Sequence, residues 1–289
     1  MKQQKAYGNE SISALKGADR VRLRPAVIFG SDGLEGCENA VFEILSNAID
    51  EAREGHGKNI LVTRYADHSI EVEDFGRGCP VDWNEKEGKY NWELVFCELY
   101  AGGKYQNNAG GDYEYSLGLN GLGACATQYS SEYFDAVIRR DGFKYTLHFE
   151  KGELVGKMKK EPTDRKTTGS TFRWKPDLAV FTDINIPKEY FEDILKRQAV
   201  VNAGVTFTFR NEQVSIPARV DDRPQLLEPA ADLASLAGHG LKQNHRPLAG
   251  LHHGVQTRGD LRDPGVNALP DMAAGMEVIK VAGQQLHAR

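Results

Sequence analysis

A chain of 289 residues is long enough for one or two domains with a sizeable core. Its 36 Lys and Arg stand against 41 Asp and Glu, and the formal charge of −5 excludes an overall basic footprint for nucleic acid. No stretch of about 18 apolar residues is present to span a bilayer, and the opening Met-Lys-Gln-Gln-Lys lacks the apolar centre of a signal peptide. Cys37, Cys79, Cys97 and Cys125 show neither C-x-x-C spacing nor a metal-ligand cluster with histidine, and read as reduced, mostly buried thiols. The expectation is a soluble, cytoplasmic protein without a membrane partner.

In chain order, residues 1–13 are polar and read as an arm. Lys16, Arg20, Arg22 and Arg24 then make a local basic patch, either a solvated face or a contact to a partner. The apolar spacing predicts a helix over 36–53, stopped by Gly55-His56-Gly57. Strands over 60–65 and 69–74 form a hairpin through Ala66-Asp67-His68. A second helix covers 92–100, residues 105–115 have the polar, glycine-rich character of a mobile lid, and a third helix opens at 123–129. Strands follow over 134–139, 143–150, 169–174 and 206–210, with a helix over 188–202 between the last two. Mixed strands with segregated helices predict an α/β fold, a two-layer sandwich of a mixed β-sheet with helices on one face. Residues 14–212 make up this domain.

From residue 213 the composition changes. The last aromatic residue is Phe209, and the tail's only lysines are Lys242 and Lys280, while it holds six of the eleven prolines. The expectation for 213–289 is a poorly structured tail, with short apolar character at 276–282 and no core of its own.

Four segments carry chemistry. On the first long helix Glu43, Asn47, Asp50 and Glu51 fall at i, i+4, i+7 and i+8, one face, beside an apolar stripe of Val41, Ile44, Leu45, Ala48 and Ala52. Such a row can polarise a water and, through an amide oxygen, hold a hard cation such as Mg²⁺. Asp74-Phe75-Gly76-Arg77-Gly78 supplies a short acceptor and close backbone approach. Ala101-Gly102-Gly103-Lys104-Tyr105 and Ser116-Leu117-Gly118-Leu119-Asn120-Gly121-Leu122-Gly123-Ala124 place glycines where successive N–H groups can converge on phosphate oxygens. Each segment alone has an ordinary explanation, a solvated helix face or a common turn; together and in this order they suit a nucleotide site.

These motifs, with Leu15-Lys16-Gly17-Ala18-Asp19-Arg20-Val21-Arg22-Leu23-Arg24-Pro25 before them and Thr168-Gly169-Ser170-Thr171-Phe172 after, resemble the N-terminal ATPase domain of type II DNA topoisomerase B subunits. That domain belongs to the gyrase/chaperone/histidine-kinase/MutL (GHKL) superfamily, and the resemblance covers roughly the first 210 residues. It implies a Bergerat fold, with ATP and Mg²⁺ as ligands. It implies Glu43 as the catalytic base, Asn47 as the Mg²⁺ ligand, and Asp50 and Glu51 as continuing the same wall, Glu51 pairing with Arg77. Asp74 matches the aspartate that accepts from the adenine amino group, and the Ser170 hydroxyl supports it. Arg77, Gly78 and Pro80 flank the base, and Arg140 stands at the rim. Gly102, Gly103, Lys104 and the backbone of Leu119, Asn120, Gly121, Leu122 and Gly123 hold the triphosphate, and Tyr7 crosses from the arm to a partner's ATP.

The implied function is ATP binding and hydrolysis by the ATPase module of a type II topoisomerase B subunit, with duplex DNA and the A subunit as partners and a homodimer formed on ATP binding. Two alternatives stay open: a nucleotide-binding dimerisation module with little turnover, and another GHKL ATPase such as a mismatch-repair protein. The sequence departs from the family pattern at Asn120, where histidine is usual, and at Leu117-Gly118, where the loop carries a glycine pair. A transducer-domain pattern is not visible beyond residue 213.

Overall fold

The computed structural model describes residues 13–101, 117, 121–212 and 276–282. Tyr7, Gly102, Gly103, Lys104, Leu119 and Asn120 lie outside them, as do the arm, the predicted lid and most of the tail.

Two short helices, α1 (Asp19–Arg22) and α2 (Pro25–Phe29), precede the long helix α3 (Leu34–Arg53). Pro25 opens α2 where its missing N–H costs nothing. Helix α3 buries Cys37, Ala40, Val41, Ile44, Leu45, Ala48 and Ile49 along one side. It stops as the sequence predicts: Gly55 takes φ 89°, its N–H reaches the Ala52 carbonyl, and His56 N–H reaches Glu51 O at 2.9 Å. This left-handed cap satisfies carbonyls that would otherwise be orphaned at the helix end.

Strands β1 (Asn59–Arg64) and β2 (Ile70–Asp74) form the expected hairpin. Its turn is held by Asp67, whose Oδ1 accepts from Ser69 N–H at 3.0 Å, and by His68 at φ 67°. A small hairpin of β3 (Trp83–Asn84) and β4 (Lys89–Tyr90) leads into α4 (Asn91–Cys97), where the Glu93 carboxylate accepts from Tyr90 N–H at 2.9 Å. This helix ends earlier than the sequence implies, because Glu98 is already extended and Tyr100 takes φ 66°. Helix α5 (Gly123–Tyr129) is followed by β5 (Ser131–Arg140), β6 (Phe143–Glu150), β7 (Glu153–Leu154), β8 (Lys159–Pro162) and β9 (Gly169–Pro176). Helix α6 (Lys188–Val201) then crosses to β10 (Thr206–Glu212), and β11 (Met276–Ala282) completes the described elements.

The sheet runs β11-β10-β1-β2-β9-β5-β6-β7, with β8 paired to β6. Strand β10 lies parallel to β1 and the other pairings are antiparallel, so the sheet is mixed. Alternate residues of each strand face the helix layer: β10 shows a burial period of two, with Phe207 and Phe209 inside. Phe96 of α4 packs on Phe134, Phe149 and Phe172 at centroid distances of 5.7–5.8 Å, and Phe191 of α6 stacks on Phe209 at 5.2 Å. The two-layer α/β architecture agrees with the sequence expectation.

Two sequence expectations need correction. Arg22 does not belong to an open basic face: it pairs with Asp177 at 2.5 Å and donates to the Tyr129 carbonyl at 3.0 Å, fastening α1 to the end of the sheet. Within the tail, β11 joins the sheet antiparallel to β10, opposite Phe207 and Phe209. Its alternation of Ile279 and Val281 with exposed Val278 and Lys280 fits an edge strand, and Lys188 of α6 reaches Glu277 at 3.2 Å. Alternation over seven residues is too short a signal to read against a proline-rich background.

Ile279 is half-buried against the core. Ile279→Ala is expected to destabilise the chain by roughly 1–2 kcal/mol, below the range for a fully buried isoleucine. Urea unfolding of parent and variant measures this, and an unchanged midpoint would mean that β11 does not dock in solution.

Candidate functional site

The acidic row of α3 faces a loop that runs from the end of β2, and the two are tied by specific contacts. Asp74, the last residue of β2, is 9% exposed. Its Oδ1 accepts from Gly76 N–H at 2.9 Å and from Ser170 N–H at 3.3 Å. Both donors go to Oδ1; among the described residues none reaches Oδ2. Burial pushes the Asp74 carboxyl up to about 6, against the two backbone hydrogen bonds that favour its charged form.

Glycine is required at two points here. Gly169 sits at φ 141°, and a Cβ there would collide with the Asp74 carbonyl oxygen. Gly78, at φ 82°, packs against the Arg139 backbone, where a Cβ would stand 2.7 Å from the carbonyl oxygen.

Glu51 and Arg77 pair as the sequence implies. Arg77 donates Nε and Nη2 to the carboxylate at 3.1 and 2.7 Å, and its backbone N–H reaches Oε2 at 3.2 Å. Burial pushes Glu51 up, but the bonds from Arg77 outweigh it and hold the carboxyl below its ordinary value. Glu54 adds a second contact to the same guanidinium at 2.5 Å. Sequence reasoning missed Glu54, although its place three residues after Glu51 on one helix face was available as a signal.

Glu43 lies one helical turn before Asn47, beside the start of α5. Gly123 is pressed against it so closely that a Cβ would meet the Glu43 carboxylate and stand 2.9 Å from its Cβ. Burial pushes the Glu43 carboxyl above its ordinary value. Asn47 donates Nδ2 to the Glu43 carbonyl at 3.1 Å, and among the described residues no donor reaches its side-chain oxygen. Asp50 is buried, and its Oδ1 accepts from Leu117 N–H at 2.8 Å, which ties Leu117 to the same helix. Gly121, at φ 59°, and Leu122 lead directly into α5.

The remaining residues form the rim. Arg140 donates Nη1 to the Gly78 carbonyl at 2.8 Å, and Pro80 is exposed beside it. Ser170 departs from its expected part: its backbone N–H, not its hydroxyl, reaches Asp74, and its Oγ accepts from Cys79 N–H at 3.0 Å. Thr168, also unforeseen, donates its hydroxyl to the Gly76 carbonyl at 2.5 Å across 92 residues of sequence. Nothing local in the sequence marks such a contact. Of the expected site residues, Glu43, Asn47, Asp50, Glu51, Asp74, Arg77, Gly78, Pro80, Gly121, Leu122, Gly123, Arg140 and Ser170 are described, and these contacts join α3, the 74–80 loop, the α5 start and the β5 and β9 ends. All four cysteines are free thiols. Among the described residues no helix is long and apolar enough to cross a membrane.

The mixed sheet covered on one face, with a long acidic helix against the β2–β9 junction, is the two-layer α/β fold that the resemblance to the GHKL class implies. Within that class the chain is homologous to the B subunits of type II DNA topoisomerases. It is 38% identical over 212 residues to the type 2 topoisomerase B subunit of Aquifex aeolicus, covering 72% of this chain and 26% of that protein. It is 36% identical to the DNA gyrase B subunit of Treponema denticola, over 74% of this chain and 33% of the relative. It is 36% identical to the B subunit of DNA topoisomerase 4 from Bacillus subtilis, over 73% and 32%. The matched stretch thus spans about a third or less of these relatives' lengths. No family model matches the chain.

The Asp74 shift predicts a pH effect on stability. The folded value, about 6, lies above the ordinary 3.8, so the native chain holds a proton that the unfolded chain releases. This contribution is full below about pH 4 and is lost as pH rises through 6, amounting to about 3 kcal/mol. Asp74→Asn keeps an oxygen for both backbone donors and removes the titration. The stability of parent minus variant should therefore fall between pH 4 and pH 6 in chemical unfolding; a constant difference would show that Asp74 is not buried as described.

Proposed function

We propose that this chain binds and hydrolyses ATP as the ATPase module of a type II DNA topoisomerase B subunit. The observation that carries the reading is the meeting of the α3 acidic face with a buried Asp74 whose second carboxylate oxygen has no described protein donor. That oxygen suits the exocyclic amino group of adenine. Guanine would present a carbonyl there and leave two acceptors opposed, so Asp74 would discriminate by an unpaired-acceptor penalty. In this reading Gly78, Pro80 and Arg77 would flank the base, and the Glu51 and Glu54 carboxylates that hold the Arg77 guanidinium support it.

The donor set also fits Mg²⁺. Asn47 turns its amide nitrogen onto the helix backbone, which leaves a neutral oxygen that coordinates without adding repulsion against phosphates. Among the described residues no three His, Cys, Asp or Glu gather as a metal cluster, so the remaining ligands would be phosphate oxygens and water. Mg²⁺ when bound would neutralise phosphate charge.

Glu43 is the group this reading makes the base. Its carboxylate accepts the proton of the water that attacks the terminal phosphorus, or orients that water, and burial raises its basicity for the task. The Gly123 contact fixes the carboxylate against the start of α5, next to the glycine-rich loop assigned to the triphosphate. Gly102, Gly103, Lys104, Leu119 and Asn120 would complete the phosphate contacts. Tyr7 would reach the nucleotide of a second copy, making the module a homodimer on ATP binding. In a full enzyme with an A subunit, duplex DNA would be the substrate whose topology changes.

Glu43→Gln is expected to lower ATP turnover about 10²–10⁴-fold while nucleotide binding persists, because the base acts on water and not on the bound ground state. A coupled phosphate-release assay with titration calorimetry separates the two, and parental turnover in the variant would remove Glu43 from the role. Asp74→Asn should weaken ATP binding by roughly 1–3 kcal/mol. The parent should bind GTP less well than ATP; equal affinity for both would count against the adenine assignment.

A further inference from the structure

A cavity of about 240 Å³ opens between the β5–β6 turn and the segment leading into β9. Its wall includes Arg139, Arg140, Thr163, Asp164, Arg165 and Lys166. The turn is well defined: Asp141 and Gly142 take φ 53° and 78°, as a two-residue hairpin turn requires, and Thr163 N–H bonds the Gly142 carbonyl at 2.9 Å. The chain as a whole is acidic, so four cations around one small cavity depart from its average.

Their charge is poorly compensated. Arg139 meets Glu73 only at 4.0 Å, and Arg140 spends its guanidinium on the Gly78 carbonyl and on Asp141 at 3.1 Å. Neither Arg165 nor Lys166 is ion-paired to another described residue, and Asp164 is the single acid in the wall. Burial first, and then the neighbouring Arg165 charge, pull Arg139 below its ordinary value, the mark of like charges sharing a partly desolvated site. An oxyanion between them would relieve that repulsion, and arginine forks match the geometry of phosphate oxygens.

We propose that this cavity, which shares Arg140 with the rim of the candidate nucleotide site, is a second anion site that takes a phosphate group between Arg139, Arg165 and Lys166. The phosphate belongs either to a nucleic-acid backbone or to a free phosphate ion, and the chemistry of capture is the same. The site does not depend on the ATP reading, since none of these three residues has a part in it. Through Arg140 and Thr168, which hold the Gly78 and Gly76 carbonyls, its occupancy also bears on the loop beside Asp74.

The test uses the full chain without nucleotide. Binding of a short duplex DNA is followed by fluorescence anisotropy over a salt series, and binding of inorganic phosphate by calorimetry. In Arg165→Ala/Lys166→Ala the affinity of whichever probe binds should fall about tenfold, and the salt slope for DNA should drop by about two, one per cation removed. Loss with DNA alone assigns the site to a nucleic-acid backbone; loss with phosphate assigns it to the free ion. Should the variant not fold, the parent still decides, because either probe should protect Lys166 from acetylation as read by mass spectrometry. No binding of either probe, unchanged binding in the folded variant, or unprotected Lys166 would overturn the proposal.

Discussion

The site rests on one close approach. At the end of β2 the Asp74 carbonyl lies beneath Gly169, where any side chain would collide with it, and the Asp74 carboxylate takes the N–H groups of Gly76 and Ser170. This junction joins β2 to β9 at the point where the chain leaves the sheet. It determines where Gly76-Arg77-Gly78 stands, and three elements then grip that loop: α3 through Glu51 and Glu54, the β9 end through Ser170 and Thr168, and β5 through Arg140. A loop held from several sides by hydrogen bonds and a bidentate ion pair is pre-organised, which is what a binding surface needs if ordering is not to consume its affinity.

The acidic residues of this region differ in environment more than in type. Glu51 is held low by Arg77, Asp74 is pushed up by burial, and Glu43 is raised by burial. Asp50 accepts from the backbone of Leu117. Carboxylates whose environments separate their proton affinities can divide structural, recognition and proton-transfer work among themselves. In the proposed scheme Glu51 positions, Asp74 recognises and Glu43 takes the proton. The stretch homologous to topoisomerase B subunits covers 26–33% of the length of those relatives.

Much of this is legible in residue order. The α3 stripe and its stop at Gly55, the hairpin with its Asp67 turn, strands β5, β6, β9 and β10 and the α6 crossover follow from local periodicity and turn chemistry, which act over a few residues; the short β7 and β8 do not. The i, i+4, i+7, i+8 spacing places Glu43, Asn47, Asp50 and Glu51 on one face, and the Glu51–Arg77 pair is implied by the family resemblance. What residue order could not supply were contacts whose partners lie far apart in sequence and carry no distinguishing type. Thr168 on the Gly76 carbonyl, the Ser170 backbone rather than its hydroxyl on Asp74, and Arg22 withdrawn to Asp177 each depend on which groups the sheet brings within about 3 Å of one another. Strand β11 was hidden for a related reason: seven alternating residues gain their meaning only from the unpaired edge of β10, and an edge exists only once the sheet is assembled.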